Sequence, residues 1–271
     1  GCESLTSVII PDNVTFIGYR AFYGCDRLTS ITIPDSVTSI GEEAFYNCKS
    51  LTSIAIPDSV TSSIGDLTFQ YCDSLTSVTI GDGVTSIGDY AFTDCESLAS
   101  VTIGDSVTSI GDYAFSNCDL TSIAIPDSVT SIGDRAFYGF KSCTSIFVAP
   151  GNPVYHSGGN CLIETESKTL IVGCKNSVIP DDGSVTSIGS SAFESCTGLT
   201  SIIIPDSVTS IGSSAFDGCK SLTSITIPDS VTSIGSLAFV NCDSLTSITI
   251  PGSVTYIEDG VFYSCNSLTS V

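Results

Sequence analysis

Cysteine is the residue type with the widest chemistry in this sequence, because thiolates act as nucleophiles, ligate metal ions and form disulfides. The 271 residues include 13 cysteines but one histidine, His156, and no C-x-x-C motif. The regular spacing of most cysteines, about 23 residues, favours a buried ladder of small apolar side chains over a metal site. The cysteines that share this spacing are Cys2, Cys25, Cys48, Cys72, Cys95, Cys118, Cys196, Cys219, Cys242 and Cys265.

Aspartate repeats with the same spacing, in the turn that follows an apolar pair. Carboxylate oxygens suit calcium, so one interpretation is a ladder of divalent-cation sites with Asp35, Asp58, Asp82 and Asp105 as candidate ligands. The other interpretation is turn propensity, since aspartate is favoured in turns. Neither an EF-hand loop nor a G-G-x-G-x-D repeat is present. We expect no other cofactor.

A catalytic centre would need a convergent nucleophile, base and stabilising donor. Serine, threonine and aspartate occur mainly as repeat positions, and His156 has no second histidine with which to work. The sequence therefore predicts a protein that is not an enzyme.

The charge balance limits the partners. Lysine and arginine number 8 against 29 aspartates and glutamates, so the net charge of −21 repels phosphate backbones and anionic membranes. No apolar run reaches the roughly 18 residues that a membrane span needs, and no signal peptide opens the chain. We therefore expect neither nucleic-acid binding nor membrane insertion, and no oligomeric state is indicated. The sequence begins and ends within a repeat, so we expect a segment of a longer protein.

A unit of about 23 residues, exemplified by residues 28–48, recurs along the chain and must position the repeated cysteines and aspartates. Ile31 and Ile33 alternate with polar residues, which is the pattern of a strand with one buried face. Pro34 then ends the strand. Residues 37–40 predict a second extended segment on the opposite wall, and residues 42–45 predict a helical turn.

A period of 20 to 29 residues with an L-x-x-I-x-I core is the signature of a leucine-rich repeat, in which each unit forms one coil of a solenoid. The sequence predicts one solenoid domain over residues 1–271: a right-handed coil with a parallel β-sheet wall and short helical turns. One phenylalanine per unit, Phe45 in the example, falls at a single repeat position, and these rings should form a stacked spine.

Residues 149–177 interrupt the period and predict an inserted β-hairpin that extends out of one coil. A turn at residues 167–168 would place Ile163 opposite Val172 and Cys161 opposite Cys174. Directly paired strand residues lie within disulfide range. The sequence therefore predicts Cys161–Cys174 as the bridge to form under oxidising conditions.

The insert is also the one segment whose side chains are not repeated elsewhere, so a partner recognised at one place should bind there. Aromatic residues are favoured interface anchors. A solvated loop histidine is the alternative interpretation of His156. The candidate binding residues are Asn152, Tyr155, His156, Glu166 and Lys168.

The unit I-P-D-S-V-T-S-I-G-x-x-A-F-x-x-C-x-S-L-T-S resembles the BspA-like leucine-rich repeat family, as does the insert's N-P-x-Y-x-S pattern at Asn152, Pro153, Tyr155 and Ser157. The resemblance implies an extracellular or cell-surface location. It also implies a non-catalytic binding or adhesion module that recognises a host or microbial protein or glycan, without an agreed catalytic site.

Two other functions stay open. Outward serines and threonines recur at strand spacing, for example Ser77, Thr79, Ser224 and Thr226, and such rows could match a periodic ligand such as a polysaccharide or ice. Ala55, or another apolar residue, breaks those rows in some coils. The remaining alternative is a structural spacer.

Overall fold

The computed structural model describes residues 1–271 and divides the chain into two compact units. The first unit comprises residues 1–138 and 149–153, and the second comprises residues 139–148 and 154–271. Each unit is a stack of similar coils whose equivalent strands pair in parallel. The predicted β-solenoid is therefore confirmed within each unit. One domain over residues 1–271 stays a prediction.

In the first unit, most coils contribute one strand from the L-x-x-I-x-I segment and a shorter one from the V-T-S-I segment. Along the first strand, outward serine or threonine alternates with buried isoleucine or valine, as a period of two predicts. Ser53 pairs with Ser77 and Ser77 with Ser100, so the register is the same from coil to coil. The first strands are Ser7–Val8, Ser30–Ile31, Ser53–Ile56, Ser77–Ile80, Ser100–Thr102 and Ser122–Ile125, and the second strands are Phe16–Ile17, Ser39–Ile40, Ser86–Ile87, Ser109–Ile110 and Ser131–Ile132.

The second unit repeats this plan and adds three longer strands from the insert. The three insert strands and three short second strands form one six-stranded sheet. The first strands are Ser145–Val148, Ser201–Ile203 and Ser224–Thr226; the insert strands are Tyr155–Gly158, Cys161–Glu164 and Thr169–Val172; and the second strands are Ser187–Ile188, Ser210–Ile211 and Ser233–Ile234.

The third side of each coil is not helical, so the predicted helical turn is wrong. In residues 88–95, Tyr90 and Asp94 have positive φ angles of 56° and 59°. Their N–H groups, and that of Phe92, donate to carbonyl oxygens of the next coil over 2.8–2.9 Å. A helix would direct these donors to its own preceding turn. No helix long and apolar enough to cross a bilayer is present.

The core of each unit contains a spine of stacked phenylalanines, as predicted. Phe92 and Phe115 are fully buried, with ring centroids 5.2 Å apart and ring planes within 1° of parallel. Phe193 and Phe216 stack in the same way in the second unit, at 5.1 Å. A side chain of this size contributes about 2–3 kcal/mol of transfer free energy on burial. The spine therefore contributes to the apolar stabilisation of both units.

The cysteine ladder lies beside this spine. Cys95 is fully buried, and its thiol donates to the carbonyl oxygen of Phe69, in the preceding coil, over 3.1 Å. Cys242 makes the same contact with Phe216 at 3.2 Å. These thiols fill space and satisfy backbone carbonyls, which confirms the structural interpretation for the cysteines of the inner coils. Cys2, in the first coil, is exposed, so the prediction that it is buried is wrong.

Candidate functional site

The insert forms the predicted hairpin, because Cys161–Glu164 and Thr169–Val172 pair antiparallel. The prediction that it extends out of one coil is wrong, because these strands are part of the core of the second unit. The insert strands form an antiparallel meander, and the last strand, Thr169–Val172, pairs in parallel with Ser187–Ile188. Ile163 and Leu170 are fully buried. The apolar face of the insert therefore replaces the second strand of one coil, because Leu170 aligns with Ile188 in the same buried row.

The predicted register of the insert is also wrong. Ile163 lies opposite Leu170 instead of Val172, because the turn comprises residues 165–168 and ends at Lys168 in a left-handed conformation. A bulge after Leu162 then places Leu162 opposite Val172. The thiols of Cys161 and Cys174 are free. A Cys161–Cys174 bridge stays a prediction, but without the direct pairing on which it was based.

Cys174 instead contacts another thiol. A hydrogen bond between the thiols of Cys143 and Cys174 lowers the pKa of Cys174. Burial raises the pKa of Cys161 to about 12. Cys161 and Cys174 are both fully buried. The lowered pKa of Cys174 therefore comes from an internal hydrogen bond, and its thiol is not an accessible nucleophile.

The five candidate binding residues have different surroundings. Asn152 donates to the carbonyl oxygens of Pro126 and Val129, each over 2.8 Å, within the first unit. In the second unit, Tyr155 is buried, and His156 Nδ1 lies 2.9 Å from Thr165 Oγ1.

The turn of the insert carries the exposed charges. Glu166 and Lys168 are both exposed, and the Lys168 ammonium group donates to the carbonyl oxygen of Gly183 over 3.1 Å. Within the second unit, this turn and His156 are accessible to a partner, whereas Tyr155 is not. Binding at these residues stays a prediction.

The aspartates of the strand-end turn connect coils. Asp58 Oδ1 accepts the backbone N–H of Asp82 over 2.9 Å, and Asp82 Oδ1 accepts that of Asp105 over 3.1 Å. The structure contains no group of three or more histidine, cysteine, aspartate or glutamate side chains suited to a metal ion. These hydrogen bonds support the turn interpretation. Calcium binding at Asp35, Asp58, Asp82 and Asp105 stays a prediction.

A surface that the sequence analysis missed lies on the third side of the first unit. Two ring pairs are stacked, Tyr23–Tyr46 with centroids 4.8 Å apart and Tyr90–Tyr113 at 5.0 Å. The 23-residue spacing within each pair was a visible signal for this feature. We define the tyrosine surface as Tyr19, Tyr23, Tyr46, Tyr71, Tyr90 and Tyr113.

The tyrosine surface holds arginines of the chain itself. The Arg20 guanidinium lies 4.8 Å from the ring centroid of Tyr19 and 5.0 Å from that of Tyr23, and it forms an ion pair with Glu43 at 2.9 Å. Arg135 Nη1 donates to the Tyr113 hydroxyl over 3.0 Å. The combination of rings, hydroxyls and carboxylates is therefore suited to cationic groups.

An open groove of about 590 Å³ lies in the second unit. Val178 and Ile203 line it and are 70% and 79% exposed. Lys175 and Asp181 are the titratable residues of its wall. Half of the residues that line the groove are valine, isoleucine or proline, so the groove suits an apolar contact better than an acid–base reaction.

The profile of the BspA type leucine rich repeat region matches the sequence in six copies, over residues 1–63, 62–183 and 186–271. The chain belongs to this family. The BspA-type repeats thus cover both units and the insert. No curated protein sequence matches the chain.

Solved structures of similar proteins come from bacteria. A leucine rich cell surface protein from Faecalibacterium prausnitzii is 34% identical, with a TM-score of 0.70 over 98% of this chain and 87% of that protein. A leucine-rich repeat protein from Bacteroides ovatus is 30% identical, with a TM-score of 0.59 over 100% and 79%. The pneumococcal vaccine antigen PcpA, 20% identical with a TM-score of 0.73 over 97% and 76%, shares the fold of this BspA-type chain.

Proposed function

We propose that the chain is a non-catalytic binding module of a secreted or surface-displayed protein, and that it recognises a host or microbial macromolecule. One observation carries the proposal: equivalent outward residues keep the same register from coil to coil, as in the Ser53, Ser77 and Ser100 pairing. Neighbouring strands lie about 4.8 Å apart, so each outward position repeats at that interval. The result is an extended exterior surface of the kind that solenoids use for macromolecular partners.

The proposed location is extracellular or at the cell surface. The support is the likeness to the cell surface protein of Faecalibacterium prausnitzii, which extends over nearly the whole chain. Membership of the BspA-type family is consistent with it. The proposed partner is a protein or glycan, because a net charge of −21 repels nucleic acid and anionic lipid.

A polysaccharide or another periodic ligand is the second candidate. Ala55, Thr79 and Thr102 pair in register on the outward face of the first strands, as do the serines two positions earlier. Hydroxyls that repeat at a fixed interval can match a ligand with its own repeat. The apolar Ala55 and the half-exposed Phe147 of the second unit break the regularity, which favours the first candidate.

The proposed function is tested by binding of the purified chain to an array of extracellular-matrix proteins, mucins and microbial polysaccharides. The expected result is saturable binding to at least one of them, by the folded but not the heat-unfolded chain. The absence of saturable binding across the array would contradict the proposal.

The proposed role of the insert is tested with substitutions, since its buried strands make a deletion destructive. Glu166→Gln with Lys168→Gly removes both exposed charges and suits the positive φ of residue 168. His156→Asn is a third substitution in the same variant. Weaker binding of the array ligand would support the insert as the site, and unchanged affinity would exclude it.

A further inference from the structure

The tyrosine surface of the first unit carries an acidic row beside it. Asp89 and Asp112 stand one residue before Tyr90 and Tyr113, and Asp66 holds the equivalent position one coil earlier, before Leu67. All three aspartates are exposed. Their Oδ1 atoms accept backbone N–H groups of the next coil over 2.7–2.8 Å, which fixes the carboxylates at the spacing of the coils. We propose that this acidic and aromatic face binds a polypeptide segment rich in lysine and arginine. This inference rests on the proposed binding function and specifies its site and partner class.

The chain's own arginines show how such a partner would be held. Arg20 combines contacts to two tyrosine rings with an ion pair to Glu43. The Arg135 guanidinium donates a hydrogen bond to the Tyr113 hydroxyl and lies 6.0 Å from the centroid of that ring. Cation–π contacts and charge-assisted hydrogen bonds reinforce each other when both partners are fixed. Between these two arginines, Tyr46, Tyr71 and Tyr90 lie in coils with an acidic residue, so a partner's cations find the same groups there.

The second unit shows that the fold does not require these residues. At the positions of Asp89 and Tyr90 the second unit has Ser190 and Ser191. Ser191 has a φ of 58°, and its N–H donates to the carbonyl oxygen of Ser213 in the next coil over 2.9 Å, just as Tyr90 donates to Asp112. Serine therefore satisfies the same turn. The tyrosines of the first unit are therefore not required by the turn and are available for another purpose, namely recognition.

The ring geometry favours a cationic polypeptide over a neutral glycan. Stacking of a sugar needs an open aromatic face, whereas the planes of Tyr90 and Tyr113 lie within 4° of each other at 5.0 Å and cover one another. Tyr90 is 38% exposed. Ring stacking leaves the hydroxyls as the groups of these two rings that a cation can contact, next to a row of carboxylates. These accept hydrogen bonds from guanidinium and ammonium groups.

The test measures binding of the full chain to a fluorescein-labelled peptide of alternating arginine and serine at 150 mM salt, by fluorescence anisotropy. The surface variant combines five substitutions to serine, the residue that the second unit has at these positions in Ser190 and Ser191. They are Asp66→Ser, Asp89→Ser, Asp112→Ser, Tyr90→Ser and Tyr113→Ser. A matched control removes three carboxylates elsewhere, with Asp35→Asn, Asp206→Asn and Asp229→Asn. Circular dichroism verifies that both variants fold, and a variant with only Tyr90→Phe and Tyr113→Phe removes the hydroxyls while it keeps the rings.

We expect the surface variant to bind the arginine peptide at least tenfold more weakly, the control variant less than threefold, and the phenylalanine variant between the two. Equal loss in the surface and control variants would overturn the inference, because it would show general electrostatic attraction. No peptide binding by the folded wild-type chain would also overturn it, as would binding of a neutral oligosaccharide at this face instead. If an array ligand still binds in those cases, the proposed function stands and the basic partner is wrong.

Discussion

The backbone N–H of Asp112 donates to Asp89 Oδ1 of the preceding coil over 2.8 Å. The same contact joins Asp89 to Asp66, also over 2.8 Å. The Asp89 carboxylate occupies the space above Gly111, the glycine that follows Ile110 in the next coil. A Cβ atom added to Gly111 would lie 2.7 Å from the backbone nitrogen of Asp89 and nearer still to its Oδ1. The glycine is thus required by close approach of the neighbouring coil.

Gly111→Ala should destabilise the first unit. The added methyl group meets backbone atoms that cannot rotate away, and overpacking of this kind costs about 1–3 kcal/mol. Urea unfolding followed by circular dichroism measures the change. The matched control is Gly252→Ala, where a Cβ meets no atom within 4 Å, so its free energy of unfolding should be unchanged or slightly higher. Equal effects of the two substitutions would refute the close-approach explanation.

Asp89→Ala should cost about 0.5–1.5 kcal/mol of unfolding free energy, because the N–H of Asp112 loses its acceptor. Asp89→Asn keeps an oxygen at the same place and should retain most of the stability. Thermal melting of the two variants provides the comparison. If asparagine is as destabilising as alanine, the negative charge and not the hydrogen bond is what stabilises the coil.

The sequence was sufficient for those features that depend on the period alone. The alternation around Ile31 and the recurrence of Phe115 predicted the strands and the spine correctly, since identical units must pack identically. The helical turn was wrong because the hydrogen-bond acceptor of Phe92 lies in the next coil, at Ala114, and local propensity contains no information about it.

The insert and the tyrosine surface show where sequence reasoning fails for two different reasons. Alternating apolar residues predicted the insert strands, but not the bulge after Leu162 or the alignment of Leu170 with Ile188. Those depend on contacts between distant segments. The spacing of Tyr90 and Tyr113 was visible in the sequence. That their rings stack at the surface depends on how the third side of the coil is folded.

Phe115→Ala should be strongly destabilising. The ring is fully buried between Phe92 and Phe137, at 5.2 and 5.8 Å, and loss of a buried phenylalanine costs about 3–5 kcal/mol. The exposed Phe16 offers a control in the same unit, and Phe16→Ala should cost less than about 1 kcal/mol. Urea midpoints of both variants test the difference. Similar midpoints would show that the spine is not the main apolar support.

Stability should decline at alkaline pH because of the buried thiols. Burial raises the pKa of Cys242 to about 12 and also raises that of Cys118. A raised folded pKa gives stability that is complete below the unfolded value near 8.5 and is lost as pH rises towards the folded value. Each such thiol contributes about 1.4 kcal/mol per pH unit in that window.

Urea unfolding with a reductant at pH 7.5 and pH 9.5 measures this decline. The matched variant is Cys118→Ala, in which one ionising thiol is absent, so stability should fall less steeply between the two pH values. An unchanged free energy of unfolding across the window would show that the thiols ionise as readily in the folded chain as in the unfolded one.

The proposed binding module holds a macromolecule at its exterior and does not transform it. The most direct measurement is a titration of the ligand found on the array, followed by recovery of that ligand and determination of its intact mass. Saturable binding and an unchanged ligand mass after prolonged incubation with excess chain are expected. A changed ligand mass, or a signal that never saturates, would rule out the proposed binding module.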